Sequence, residues 1–280
     1  MRVPDEVRQC VIYLGIPVPD VPGAARPIGT AFFVVVPSET LEQVGHIYVV
    51  TAKHVADVAP QGKDVFLRVN LKAGGSQLIN SEGTLRWWFH PTDDSVDVAI
   101  FPWSPEGDIG DIEYRRLHVE MLLTDEIIQA ENIGPGDEVF MTGLFVHLAG
   151  SQRNQPIVRM GNIAMMPDEP VPTRRGAMTA YLIEARSIGG LSGSPAFVRA
   201  ASGKFYLLGL MHGHWDVAPG QIDEATVDVS DAHGRVNMGI ALVVPAHKIL
   251  EVLNQEGLLE MRRREDARVS EEALRASPPN

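Results

Sequence analysis

Ile188-Gly189-Gly190-Leu191-Ser192-Gly193-Ser194-Pro195 packs small residues on both sides of one serine. Glycine accepts backbone conformations and close approaches that other residues resist, so the stretch suits a tight turn that presents its central side chain. That side chain is the Ser192 hydroxyl, a candidate nucleophile. In such a turn the backbone N–H groups of Gly190 and Ser192 can point together at a developing oxyanion, a contribution of about 3 kcal/mol per donor in characterised enzymes. A serine hydroxyl is a weak nucleophile by itself and needs a base within reach.

Thr51-Ala52-Lys53-His54 supplies a base directly after the apolar run Tyr48-Val49-Val50. Val96-Asp97-Val98-Ala99-Ile100-Phe101 puts an acid at the head of another apolar run, where it can be buried against an imidazole. Each feature alone has a plain structural reading, since histidines follow strands and glycine-rich turns carry serines in many proteins. Together, in the order His, Asp, Ser and each inside its own local pattern, they favour a triad of His54, Asp97 and Ser192. The nucleophile elbow of α/β-hydrolases does not fit: Ser194 stands where that motif needs its last glycine, and its triad runs Ser, Asp, His.

The rest of the chain reads as many short strands. Its 26 glycines and 20 prolines punctuate brief runs of Val, Ile, Phe, Leu and Tyr. Strands are expected over residues 11–14, 29–36, 46–51, 65–69, 84–89 and 96–101, and again over 138–144, 156–164, 181–185, 194–198, 205–212 and 239–243. Between the two sets, the polar stretch 108–133 reads as a linker, and the acidic stretch 216–236 as a surface loop. After Pro245, the residues Ile249, Leu250, Val252, Leu253, Leu258 and Leu259 recur at roughly helical spacing. Beyond residue 262 the chain is mostly charged and small, and disorder is expected there. Trp87-Trp88-Phe89 reads as core and rim rather than as a binding platform.

Bulk properties narrow the function. With 280 residues, 45% of them hydrophobic, the chain can bury one large or two small cores. A formal net charge of -12 repels a phosphate backbone, and the one dense basic run, Arg262-Arg263-Arg264, suits a solvated helix end, so nucleic acid is not an expected partner. No run approaches the ~18 apolar residues that span a bilayer, and no membrane association is expected. Acids at Asp5 and Glu6 interrupt any export signal. The single cysteine, Cys10, excludes an internal disulfide, so a cytoplasmic location is expected.

These motifs resemble those of the chymotrypsin-like (trypsin-like) serine peptidases, especially the bacterial members. Thr51-Ala52-Lys53-His54 is similar to that family's Thr-Ala-Ala-His, Asp97-Val98-Ala99-Ile100 to Asp-Ile-Ala-Leu, and the segment from Gly190 to Pro195 to Gly-Asp-Ser-Gly-Gly-Pro. Gly29-Thr30-Ala31-Phe32, Pro135-Gly136-Asp137-Glu138-Val139 and Leu208-Gly209-Leu210 resemble further family segments in the same register. The resemblance covers roughly residues 10–255. It implies an all-β fold of two antiparallel six-stranded β-barrels with a C-terminal helix. One barrel spans 1–107 and carries His54 and Asp97; a linker spans 108–133; a second barrel over 134–244 carries Ser192; the helix spans 245–262 and a disordered tail 263–280. It implies a serine endopeptidase working through an acyl-enzyme on protein or peptide substrates, with Gly190 and Ser192 as oxyanion donors and no metal or organic cofactor.

Departures from the family pattern limit what carries over. Leu191 stands where animal members keep the aspartate of the zymogen switch, so that switch is absent. Arg186 stands where trypsins keep the aspartate of their specificity pocket, and His212 and His214 flank Gly213 on the strand after the nucleophile. The Gly-x-Ser-Gly-Ser-Pro pattern also matches glutamyl endopeptidases, which implies an acidic side chain before the scissile bond, with Arg186, His212 and His214 as the pocket. Strand alternation, however, turns His212 to the opposite face unless a bulge intervenes. A zinc site from His212, His214 and Asp216 lacks further ligands at a recognisable spacing. Two alternatives stay beside the active endopeptidase: a non-catalytic binding protein that keeps the fold, and a latent protease held off by the 216–236 loop until an activating partner arrives.

Overall fold

In the computed structural model, residues 3–21, 23–59, 62–103, 111–113, 115–173, 176–217 and 236–276 are described. Strand-forming runs of Val, Ile, Phe and Tyr build two sheets in sequence. The first contains β1 (Val11–Pro17), β2 (Ala25–Pro37), β3 (Gly45–Thr51), β4 (Phe66–Leu71), β5 (Ser76–Asn80), β6 (Trp88–Phe89), β7 (Ala99–Pro102), β8 (Ile112–Glu113) and β9 (Arg116–His118). Its hydrogen-bonded order is β5-β4-β1-β2-β3-β7-β6, with β8 on β4 and β9 parallel to β2. Among the described residues this sheet carries nine strands where six are expected.

The second sheet contains β10 (Glu138–Gly143), β11 (Ile157–Met165), β14 (Tyr181–Glu184), β15 (Pro195–Arg199), β16 (Phe205–Val217) and β17 (Val236–Pro245). It closes as a six-stranded barrel in the order β10-β11-β14-β17-β16-β15, with a hairpin of β12 (Val171–Thr173) and β13 (Gly176–Met178) beside it. Closure leaves no open edge on which another chain can add. Each half has its own apolar interior: Phe32, Phe33, Val50 and Ile100 in the first, Phe140, Phe197, Leu210 and Val243 in the second, all fully buried. Phe140 and Phe197 stack at 5.5 Å between ring centroids. Trp87 is core, edge-on to Phe101 at 5.0 Å.

The stretch read as a linker does more than connect. Ile112 and Leu117 are buried in β8 and β9, and helix α3 (Asp125–Glu131) follows, ended by Asn132 in a left-handed conformation. The remaining helices are α1 (Asp5–Arg8), α2 (Lys53–Ala56), α4 (Ala246–Leu253) and α5 (Glu256–Ala276). Helix α4 begins after Pro245 as its apolar spacing requires, with Ile249, Val252 and Leu253 buried. The expected end at 262 and the disorder after it are corrected: α5 runs on to Ala276, and of the expected tail, residues 277–280 lie outside the described residues. Its docking is apolar in the first turn, where Leu258 is fully buried, and polar further along. Arg262 donates to the Tyr48 hydroxyl at 3.1 Å and the Leu253 carbonyl at 2.9 Å. The Asp266 carboxylate accepts from Ser38 at 2.8 Å and contacts His46 Nε2 at 2.9 Å. Both Arg262 and Asp266 are buried, and each is hydrogen-bonded, which offsets the cost of burying a charged group.

Candidate active site

His54 and Asp97 meet because their strands do. Antiparallel β3 and β7 pair Thr51 with Ala99, so residues just after Thr51 and just before Ala99 leave the sheet at the same end. There the chain turns into α2, anchored by buried Val55 and Ala56, and presents the His54 imidazole. Asp97 is buried. Its Oδ1 accepts the backbone N–H of His54 at 2.9 Å, and its Oδ2 lies 2.7 Å from His54 Nδ1.

A second imidazole shares that oxygen. His212 Nδ1 lies 2.6 Å from Asp97 Oδ2, and the two rings meet edge to face at 5.4 Å between centroids. Along β16 and β17, Met211 pairs with Val243 and Gly213 with Leu242, which leaves His212 as the extra residue of a bulge. The bulge resets the strand alternation. His212, expected beside a substrate side chain, therefore lies against the acid instead. Burial alone would raise the pKa of Asp97, but hydrogen bonds from His212 and His54 outweigh it and hold the carboxyl well below the usual carboxylate range. An ionised carboxylate only accepts, so both Nδ1 atoms carry protons, and in the neutral form of His54 the lone pair falls on Nε2.

Ser192 lies in two successive turns. Leu191 N–H donates to the Ile188 carbonyl at 3.2 Å and Ser194 N–H to the Leu191 carbonyl at 2.9 Å. The third residue of each turn, Gly190 and Gly193, has φ of +98° and +80°, the requirement of type II geometry. A Cβ on Gly193 would lie 2.2 Å from the Thr30 carbonyl oxygen, so that position admits no side chain. Thr30, in the first sheet, braces the turns: its N–H donates to the Ser192 carbonyl at 3.0 Å, and its hydroxyl donates to the Gly190 carbonyl at 2.8 Å. The same hydroxyl accepts from Leu144 N–H at 2.8 Å. From the other side, Gly193 N–H donates to the Met211 carbonyl at 2.8 Å. The Ser192 hydroxyl is directed at the His212 carbonyl, 3.4 Å away, and among the described residues no hydrogen bond joins Ser192 to His54.

Arg186 is exposed, and His214 is partly buried. Asn237, not singled out, donates to the Ser187 carbonyl at 2.8 Å beneath the same segment. Thr30 stands in the sequence only as part of the family-like segment at Gly29, because its bracing role depends on contact with residues 160 positions away. Most of the 216–236 stretch, residues 218–235, lies outside the described residues. Among the described residues, the group with metal-ligand chemistry is His54, Asp97 and His212, whose ligand atoms lie within 4.8 Å of one another. Tetrahedral zinc, with bonds of ~2.0 Å, needs its ligand atoms about 3.3 Å apart and both Nδ1 protons removed. The observed 2.6 and 2.7 Å separations are hydrogen-bond lengths.

Among solved structures, the protease domain of MamO from Magnetospirillum magneticum, in its apo form, superposes with a TM-score of 0.55 at 17% identity, over 89% of this chain and 98% of that one. The fold is that of the chymotrypsin-like proteases. The Rv3671c protease from M. tuberculosis, in its active form, is similar more weakly, with a TM-score of 0.46 at 16% identity over 89% of this chain and 81% of that one. No family model and no curated protein matches the sequence. Among the described residues, no helix of this protease fold is long and apolar enough to cross a membrane.

Proposed function

We propose that the protein is a serine endopeptidase with His54, Asp97 and Ser192 as its triad. The observation that carries this reading is the buried Asp97 carboxylate, which accepts both the backbone and the side chain of His54. That arrangement fixes the tautomer a general base needs. Ser192 Oγ attacks the peptide carbonyl while His54 Nε2 takes its proton. The oxyanion is held by the N–H groups of Gly190 and Ser192, and collapse of the tetrahedral species breaks the C–N bond as His54 protonates the leaving amine. Water, deprotonated by His54, then releases the acyl group and regenerates Ser192. Type II geometry at Gly190 supports the oxyanion role, because it fixes the orientation of the peptide between Gly189 and Gly190.

Acidic side chains before the scissile bond are the proposed preference, resting on Arg186 and His214 now that the His212 side chain is engaged by Asp97. A peptide library cleaved mainly after basic or apolar residues would remove this part. Action in the cytoplasm belongs to the same reading, supported by a single thiol, Cys10, that is buried.

Labelling by a fluorophosphonate, which reacts with an activated serine, tests the peptidase. The expected outcome is stoichiometric labelling of the wild type and none of Ser192→Ala. One observation favours a second reading, a latent enzyme: the Ser192 hydroxyl rests on the His212 carbonyl rather than on His54. A protein labelled only after a protein partner is added would support latency, and one never labelled would point to a binding role.

A further inference from the structure

The His212 side chain has no part in the triad, yet it makes the shorter of the two imidazole contacts to the acid. Three hydrogen bonds converge on Asp97: His54 N–H on Oδ1, and the Nδ1–H groups of His54 and His212 on Oδ2, at 2.9, 2.7 and 2.6 Å. The carbonyl of the same His212 receives the Ser192 hydroxyl at 3.4 Å. Its neighbour Met211 is bonded at both ends to the nucleophile turn, accepting from Gly193 N–H and donating to the Ser194 carbonyl, each at 2.8 Å. One bulged residue thus touches the acid with its side chain and the nucleophile with its backbone.

We propose that His212 is a positioning residue of this site. Its Nδ1–H fixes the rotamer of Asp97, and its bulge sets the separation between the acid and the Ser192 turn. Two features argue against a merely space-filling ring. A third donor on a buried carboxylate satisfies a lone pair that would otherwise be costly to leave unpaired. The bulge also interrupts the β16–β17 ladder at this residue alone between Met211 and Gly213, a departure from regular pairing that aims one side chain. An asparagine at 212 keeps an N–H donor at nearly the place of Nδ1, whereas an alanine removes it.

The inference rests on the peptidase reading, and the two are tested by separate signals in His212→Ala and His212→Asn proteins. The first signal is the rate of fluorophosphonate labelling together with peptide hydrolysis. His212→Ala is expected to lower kcat and the labelling rate by roughly tenfold to a hundredfold, the scale of one hydrogen bond to a charged group, with KM unchanged. His212→Asn is expected to recover most of that loss. The second signal needs no activity: protons in short N–H···O bonds to a carboxylate resonate far downfield. The wild type should show one such resonance from His54 and one from His212. His212→Ala should remove the latter and shift the former, while His212→Asn should leave the former near its wild-type position. A wild type that is never labelled, with or without a partner, overturns the peptidase reading and leaves the resonances to judge His212. A His54 resonance unmoved in His212→Ala overturns the positioning role, as does a His212→Asn protein as slow as His212→Ala.

Discussion

The hydroxyl of Thr30 donates to the carbonyl of Gly190, 160 positions further along the chain, across the junction of the two sheets. Through it, the turn that presents Ser192 is braced by the half of the protein that carries His54 and Asp97.

Replacing Thr30 by valine keeps the shape and removes both hydrogen bonds of that hydroxyl. The buried Leu144 N–H then lacks an acceptor, which costs about 1–3 kcal/mol. Urea denaturation of Thr30→Val should show a loss in that range, and Thr30→Ser should restore most of it. Labelling of Ser192 should slow in Thr30→Val and recover in Thr30→Ser.

Gly193→Ala combines φ of +80° with a Cβ 2.2 Å from the Thr30 carbonyl oxygen and 2.3 Å from Thr51 Oγ1. The left-handed conformation alone costs a non-glycine residue about 1 kcal/mol or more, and the contacts are with backbone and a buried hydroxyl. The variant should lose Ser192 reactivity entirely and melt well below wild type in a thermal scan. At Gly203, by contrast, φ is +87° and no atom lies within 4 Å of a Cβ, so Gly203→Ala should show only the conformational cost.

Asp97 makes stability depend on pH in a defined direction. Burial opposes its ionisation, yet the hydrogen bonds from His212 and His54 hold its pKa below the usual carboxylate range, whose unfolded value is about 3.9. The ionised form therefore favours the fold. That contribution is complete above pH ~4 and is lost as pH falls through the folded-state value. Stability measured in urea should separate wild type from Asp97→Asn most at neutral pH, and the gap should close below pH ~4. At neutral pH, Asp97→Asn should retain about one part in 10⁴ of wild-type turnover, the loss seen for the matching change in this fold.

Two residues of α5 offer a contrast. Asp266 is buried on Ser38 and His46, and breaking a buried pair costs about 3–5 kcal/mol. Asp266→Ala should lower the melting temperature by many degrees. Arg268 pairs with Glu265 and Glu272, each at 2.6 Å, on the exposed face. Arg268→Ala should leave the melting temperature unchanged, because solvent and salt screen such pairs.

The parts of this protein that were legible in the sequence are those whose signal is local. His54, Asp97 and Ser192 each sit in a short pattern readable in a few residues, and the barrel strands carry runs of β-branched and aromatic residues. What escaped is set by distant partners. The strands β8 and β9 are two and three residues long, too short to show a period. Helix α5 is rich in charge, and beyond Leu258 nothing in its hydropathy announces that Arg262 and Asp266 are buried. The facing of His212 turns on a bulge, and a bulge leaves no mark in residue type at this position. Its placement on Asp97 emerges only from the pairing of β16 with β17.

The docking of α5 also bears on how the protein is made. Asp266 leaves the ribosome 228 residues after Ser38, its partner in the β2–β3 hairpin. Throughout that interval the seat for the helix is open. Because Ser38, His46 and the Tyr48 hydroxyl line the part that Arg262 and Asp266 fill, water can occupy that part of the vacant seat at little cost, where a wholly greasy one would recruit other nascent chains. A polar clasp lets the growing polypeptide wait for its own helix without adhering to its neighbours.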